Sequence, residues 1–354
     1  MPIRGLFLSL IAVLIGYFPG SACAGHAVVL VYHHVSEQTP ASTSVRPDRF
    51  EAHLDYLESH GFEVWPLSRV LAAAIQGAQD LPDNVVAITF DDAYRSVYSK
   101  AWPMLQEREW PFTVFVNTDS IDAGHSPYMS WDELLELVKN GVDIGNHSAS
   151  HGHLIARLDN ETLDTWQARI GDDILRARNR IADELGVVST VFAYPYGEDS
   201  QALKALVGEH YAFAVAQRSG AVGPTTSPLS IPRFPMASGF DSQERFVLAI
   251  NARPLPVTAA VPTPPGDGVR GPVDSLQLTL DEGDYLSARL ACFSASGESV
   301  SIELGDKELF QFKINVNGLG SAGRNKINCT APASDNSGDY FWYSFQWVQE
   351  AATD

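Results

Sequence analysis

Two adjacent carboxylates, Asp91 and Asp92, end the apolar run Val85–Phe90, and two histidines, His147 and His151, follow the run Val142–Gly145. A third set, His33 and His34, ends the run Ala27–Tyr32. Neighbouring acids at one edge can divide the work of holding a cation and moving a proton. The i, i+4 spacing of His147 and His151 would put both imidazoles on one face of a helical turn, within reach of one ion. Two neutral imidazoles with one carboxylate leave positions open for water and make a catalytic site for zinc or a related divalent ion. The second carboxylate can then accept a proton from water. If the bond cleaved is an amide, the departing amine needs a proton too, and His33 or His34 can supply it. The competing reading is that Asp92 only caps a helix starting at Tyr94, with Asp91 solvated.

Strands must carry these residues to one place. Val85–Phe90 has no polar alternation, the habit of a parallel strand covered on both faces, and such sheets keep their chemistry at the C-terminal strand ends. Ala27–Tyr32, Pro111–Asn117, Val142–Gly145, Thr190–Tyr194 and Tyr211–Ala216 read as further strands. Between them lie helices: one spaced by Phe50, Leu54 and Leu57 and closed by Gly61, one over Tyr94–Arg108 bent at Pro103, and one opened by a Ser130/Glu133 capping box. Others run over Glu161–Leu185 and Gln201–Leu206. About seven βα units precede Arg253, which indicates an α/β fold. The spacing does not by itself close the sheet into a barrel.

Residues 254–268 are rich in proline and poor in periodicity and read as a linker. Beyond them, short alternating segments such as SLQLTL and YFWYSFQW indicate an antiparallel β-sandwich over 269–354. In the last strand Phe341, Tyr343, Phe345 and Trp347 are expected to face the core, and Trp342 the outer face, where its ring could stack on a sugar.

The motifs TFDD (Thr89–Asp92), HSASH (His147–His151) and FAYPYG (Phe192–Gly197), in that order, resemble those of the polysaccharide deacetylase family, also called the NodB homology domain or carbohydrate esterase family four. The resemblance spans about Ala27 to Arg253 and implies a distorted (β/α)7 barrel catalytic domain over 25–253. It implies Asp91 as catalytic base and Asp92, His147 and His151 as ligands of one divalent metal, zinc first, with cobalt or nickel as alternatives. It implies too that Tyr194, Pro195 and Tyr196 line the acyl pocket, the Tyr196 N–H helping to hold the developing oxyanion. Family members usually carry an arginine before the proline motif, where this chain has Ala193 and Tyr194. Arg233 in SIPRFPM is the candidate substitute for orienting the base. The histidine-bearing strand that usually ends the domain is also missing. LVYHHV resembles it moved to the front, the permuted layout of poly-β-1,6-N-acetylglucosamine deacetylases, and this makes His33 the general acid. The substrate so implied is a polysaccharide containing β-linked N-acetylglucosamine (poly-β-1,6-linked, chitin-like or a peptidoglycan glycan). O-acetyl ester cleavage by the same site is an alternative, as is a polysaccharide-binding protein with an impaired site.

The formal net charge of the 354-residue chain is -19, and without a basic run nucleic acid is excluded as a natural partner. Arg4, the apolar run Leu6–Tyr17 and the small residues around Ala22 and Ala24 form a secretory signal over 1–24, too short to span a membrane. Export to the periplasm or beyond follows, with lipid anchoring at Cys23 as the alternative. The mature chain then keeps Cys292 and Cys329, an even pair expected to form a disulfide.

Overall fold

The computed structural model describes residues 25–77, 81–263, 272–306 and 309–349; the expected signal segment over 1–24, with Cys23, and residues 264–268 of the expected linker lie outside these. An eight-stranded sheet organises the first part of the chain. Its circuit runs through β1 (Ala27–Tyr32), β2 (Val85–Phe90), β3 (Thr113–Val116), β4 (Asp143–Asn146), β5 (Val191–Ala193) and β6 (Phe213–Val215), with β7 (Phe234–Pro235) on the other side of β1. Every neighbouring pair in this circuit is parallel. The two-residue strand Glu63–Val64 adds to β2 from outside the circuit.

Closure comes from the segment entering β7. Ile231 bridges Val215 of β6, with its N–H on Ala214 O at 2.9 Å and its carbonyl accepting from Ala216 N–H at 2.8 Å. Three residues later Phe234 and Pro235 pair with Leu30 and Val31 of β1. The sheet is therefore a distorted barrel, joined by a short stretch touching both the last and the first strand.

β1 and β2 are buried at every residue, as unbroken apolar runs require when both faces are covered. One set of side chains, Val29, Ala87, Phe115, Ala193 and Val215, packs together with Leu67, Val70 and Leu71 of the helix Leu67–Gln76. The alternate set, including Leu30, Ile88, Phe90 and Val114, packs with Phe50 and Leu54 of the helix Pro47–Ser59. The Ser130/Glu133 capping box is present and opens the helix Trp131–Lys139. The expected helix Tyr94–Arg108 is present over 95–107, but its middle is a π-helical turn at Val97–Ala101, followed by an α-helix at Trp102–Glu107 with Pro103 just after the π turn.

The C-terminal part forms two sheets, of five and four strands, antiparallel throughout except where the short strand Arg253–Pro254 pairs in parallel with Tyr340–Gln349. Leu276, Leu278, Ile314, Ile327 and Trp347 fill the space between them. Cys292 and Cys329 stand opposite each other in neighbouring strands and are disulfide-bonded.

Two expectations need correction. The supposed linker contains the strand Val257–Thr263, paired with Ser275–Leu280. It is an edge strand, and an edge tolerates a proline such as Pro262 because one row of its N–H groups has no ladder to serve. Trp342 is not an open platform: its ring meets Phe234 of β7 edge-on at 5.3 Å, because this face of the last strand packs against the barrel.

The disulfide closes 37 residues of chain, which in the loop-entropy picture corresponds to a contribution of about 4 kcal/mol. Replacing both Cys292 and Cys329 by Ala should lower the urea midpoint of the C-terminal sheets by an equivalent amount, measured against the reduced and oxidised native chain.

Candidate active site

β2 ends at the C-terminal edge of the barrel and the chain turns sharply. Asp92 (φ 72°) and Ala93 (φ 54°) both sit in the left-handed region, at roughly 1 kcal/mol or more each for residues with a side chain. The two carboxylates consequently meet different partners although they are consecutive and both buried. Asp91 pairs with Arg233, and Asp92 lies against His147 and His151. The helix-cap reading of Asp92 gives way: helix begins at Arg95, and the Asp92 carboxylate is turned to the two imidazoles.

His147 and His151 are not on a helical turn, contrary to expectation. They belong to a loop leaving β4, in which Ser148 (φ 64°) and His151 (φ 53°) are left-handed. Side chains hold this loop. Asn146 Oδ1 accepts from Ser148 N–H at 2.8 Å while its Nδ2 donates to Ile174 O (2.9 Å) and the Tyr211 hydroxyl (2.7 Å). Asp173 accepts from both the N–H and the hydroxyl of Ser150 at 3.0 Å. The Nδ1 of His147 lies 2.8 Å from Ala193 O, and since a carbonyl only accepts, the proton sits on Nδ1 and the Nε2 lone pair is free.

That lone pair faces the ion-sized gap. Asp92 Oδ1 lies 3.5 Å from His147 Nε2 and 3.0 Å from His151 Nε2, and the three donor atoms fall within 4.8 Å of one another. Asp92 Oδ1 is buried and forms no well-directed hydrogen bond despite these contacts. Two imidazoles and an unsatisfied carboxylate oxygen converging on one point fit a divalent cation. Burial holds His147 down to about 4, so it is neutral and able to ligate at neutral pH. Burial also lowers His151, but the adjacent Asp92 carboxylate reverses the direction and raises it; a bound cation would displace that proton.

Arg233 is fully buried inside the barrel. Its Nη1 and Nη2 reach the two oxygens of Asp91 at 2.7 Å each, Nη1 also donates to Thr89 Oγ1 (3.1 Å), and Nε donates to Ala216 O (2.9 Å). Burial pushes the Asp91 pKa up, yet the guanidinium and then His147 outweigh it, so the carboxyl stays below its ordinary range and ionised. Arg233, the candidate named from SIPRFPM, is thus the cation paired with Asp91.

His33 is half-buried, with the Gln217 amide 3.5 Å from its Nε2, and is close enough to Asp91 and Asp92 to lower both carboxyls. His34 is buried and stacked on Tyr94, ring centroids 3.5 Å apart. Tyr196 adopts a left-handed conformation (φ 59°, ψ 5°), its ring 4.7 Å from that of His151 and stacked on His153 at 4.2 Å. Pro195 is buried beside it. Tyr194 departs from expectation: its ring packs with Phe192, Leu203 and Tyr211 and its hydroxyl donates to Leu229 O, so the side chain is core and not pocket wall.

Residues 78–212 match the family model described as polysaccharide deacetylase. The chain carries a polysaccharide deacetylase domain. The poly-β-1,6-N-acetyl-D-glucosamine N-deacetylase of Staphylococcus aureus (strain MRSA252) is 25% identical over 212 residues, 57% of this chain and 71% of that one. IcaB from Ammonifex degensii superposes with a TM-score of 0.55 at 24% identity, over 62% of this chain and 96% of that chain. The Streptococcus pyogenes deacetylase PplD, in complex with acetate, gives 0.56 at 20% identity over 64% and 98%. At these identities the two structures support the fold.

Several residues of the deacetylase domain site escape a reading by motif. Asn146 could have been noticed as a polar residue ending a buried strand beside His147. Asp173 sits in the helix Leu163–Leu185 and Gln217 after β6, and nothing in their sequence neighbourhoods marks them. His153, two residues beyond the HSASH motif, lies 2.9 Å from the buried Glu198 carboxylate. Beneath the Pro195–Gly197 turn, Asp199 accepts from Arg218 Nη1 at 3.0 Å and from the Ser230 hydroxyl.

Two outcomes follow. Arg233→Met should lower kcat/KM by about 100-fold with metal content unchanged by mass spectrometry, and Arg233→Lys, which keeps charge without the fork, should fall between. Burial raises the Asp199 pKa but Arg218 outweighs it, so the folded value lies below the unfolded one and the pair stabilises above the ordinary carboxylate range. Asp199→Asn should therefore cost roughly 3 kcal/mol at pH 7, with the gap in denaturant midpoint closing as pH falls through that folded value.

Proposed function

We propose that this chain is an exported hydrolase that removes N-acetyl groups from a β-linked N-acetylglucosamine polysaccharide, with poly-β-1,6-linked polymer as the leading substrate. The observation that carries this reading is the division of consecutive acids. Asp91 is ionised and gripped by Arg233, while Asp92 converges with two imidazoles. The name of the Staphylococcus aureus relative supports the choice of polymer. In this reading residues 25–253 form the catalytic domain and 269–354 an accessory β-domain.

Asp92, His147 and His151 would hold one divalent cation, zinc first. Such an ion supplies Lewis acidity, polarising the acetamide carbonyl and making water easier to deprotonate. Asp91 takes the proton from the attacking water, and Arg233 keeps that carboxylate charged and aimed. The water oxygen bonds to the carbonyl carbon. The Tyr196 N–H, in its left-handed turn, faces the negative charge that develops on the carbonyl oxygen. His33 donates a proton to the nitrogen as the C–N bond breaks, so acetate leaves and the sugar keeps a free amine, which is protonated at neutral pH.

Acetate should appear when the chelated protein is resupplied with zinc or cobalt and given β-1,6 or β-1,4 N-acetylglucosamine oligomers, and release should exceed that from O-acetylated xylan. Silence on every oligomer would overturn the reading. Asp91→Asn should lower kcat by about 10²- to 10⁴-fold while binding metal as the native chain does; loss of metal would undo the assignment of Asp91 as base.

A further inference from the structure

The strands Gly323–Pro332 and Tyr340–Gln349 turn one face toward the barrel. Arg324 stands opposite Val348, Lys326 opposite Gln346 and Asn328 opposite Ser344, so Arg324, Gln346 and Ser344 share that face. All three donate to backbone carbonyls of the loops that build the site. Arg324 Nη1 reaches Tyr196 O at 2.5 Å, Gln346 Nε2 reaches Gly197 O at 3.0 Å, and Ser344 Oγ reaches Ser219 O at 2.5 Å. The Arg324 guanidinium also lies 5.9 Å from the centre of the Tyr196 ring.

The turn so gripped is strained. Tyr196 and Gly197 are left-handed in succession, at φ 59° and 68°. Strain of this kind persists only where the surroundings over-determine the conformation. Here the Gly197 N–H is held on Tyr194 O at 2.8 Å, and the next two carbonyls are held by donors from a different part of the fold. The turn also touches its neighbour directly: a Cβ on Gly197 would come within 2.4 Å of the Gln217 backbone nitrogen, and the Gln217 side chain is the one that faces His33.

We propose that the C-terminal sheet is a working wall of the active site, with Arg324 and Gln346 as positioning residues that hold the Tyr196–Gly197 turn. Through that turn they set the Tyr196 N–H and the loop bearing Gln217. The inference rests on the reading above for the role of the Tyr196 N–H. It assigns the accessory strands a part in turnover that does not depend on their binding carbohydrate.

The test uses the full chain with its divalent ion restored. Arg324→Ala and Gln346→Ala should each lower kcat about tenfold with KM close to native, since small displacements of an aligned group act on the reacting geometry. Arg324 is solvent-exposed, so its loss should leave the melting temperature nearly unchanged. Arg324→Lys keeps a donor for Tyr196 O and should restore most of the rate. Gln346→Glu keeps the shape but sets an oxygen against Gly197 O, and should be as poor as alanine. Independently of any substrate, amide hydrogen exchange over residues 194–199 should quicken in the double alanine variant. A native kcat in the alanine variants overturns the proposal whatever the exchange shows, and so does a rise in KM alone, which would make Arg324 a direct sugar contact. If the native chain releases no acetate from any substrate, the functional reading fails separately, and the exchange measurement alone decides: faster exchange upholds the clamp and unchanged exchange overturns it.

Discussion

A guanidinium with no solvent exposure, enclosed by the strands of a barrel, is tolerable only if its donors and its charge are met. Arg233 is such a group, and Asp91 meets it with both oxygens, while Thr89 and the Ala216 carbonyl take further donors. Removing either partner would strand a charge in a medium that solvates it poorly, which is far costlier than the pair is beneficial. The pair also has a topological consequence. Arg233 lies on the segment joining β6 to β7 and then to β1, and Asp91 ends β2, so one ion pair ties the closure of the barrel to the strand bearing the acids.

The same pair explains how two consecutive carboxylates acquire unlike characters. Left-handed backbone at Asp92 and Ala93 separates their directions, and their neighbours then separate their chemistry. Asp91 is satisfied on both oxygens by a permanent cation. Asp92 keeps a buried oxygen without a well-directed hydrogen bond, beside two imidazole nitrogens. In the proposed function Asp91 would be a base already charged and Asp92 a ligand electrostatically unfinished, complementary requirements of metal-assisted hydrolysis.

The loops around this centre are held largely by side chains remote in sequence. Asn146 and Asp173 hold the histidine loop, Asp199 and Arg218 underlie the proline turn, and donors from the last two strands reach its carbonyls. Among the described residues no helix is long and apolar enough to cross a membrane.

Much of this was legible in the residues alone. Unbroken apolar runs announced the parallel strands, and the carboxylates and histidines at their ends announced the site, because strand burial and the placement of polar groups at strand ends are local consequences of sequence. Cys292 and Cys329 could be paired by number. Other features depended on contacts that local pattern does not encode. The proline-rich stretch after Pro254 holds an edge strand because a neighbouring strand is there to receive it, and Trp342 is covered because its sheet face docks on Phe234. The i, i+4 spacing of His147 and His151 suggested a helical turn, but the Asn146 and Asp173 bonds hold a loop with left-handed residues instead. Arg233 could be named as a candidate from its type, but its role awaited geometry. Asp91 and Arg233 are 142 residues apart, and only closure of the barrel brings a fixed cation to a carboxylate that burial would otherwise tend to neutralise.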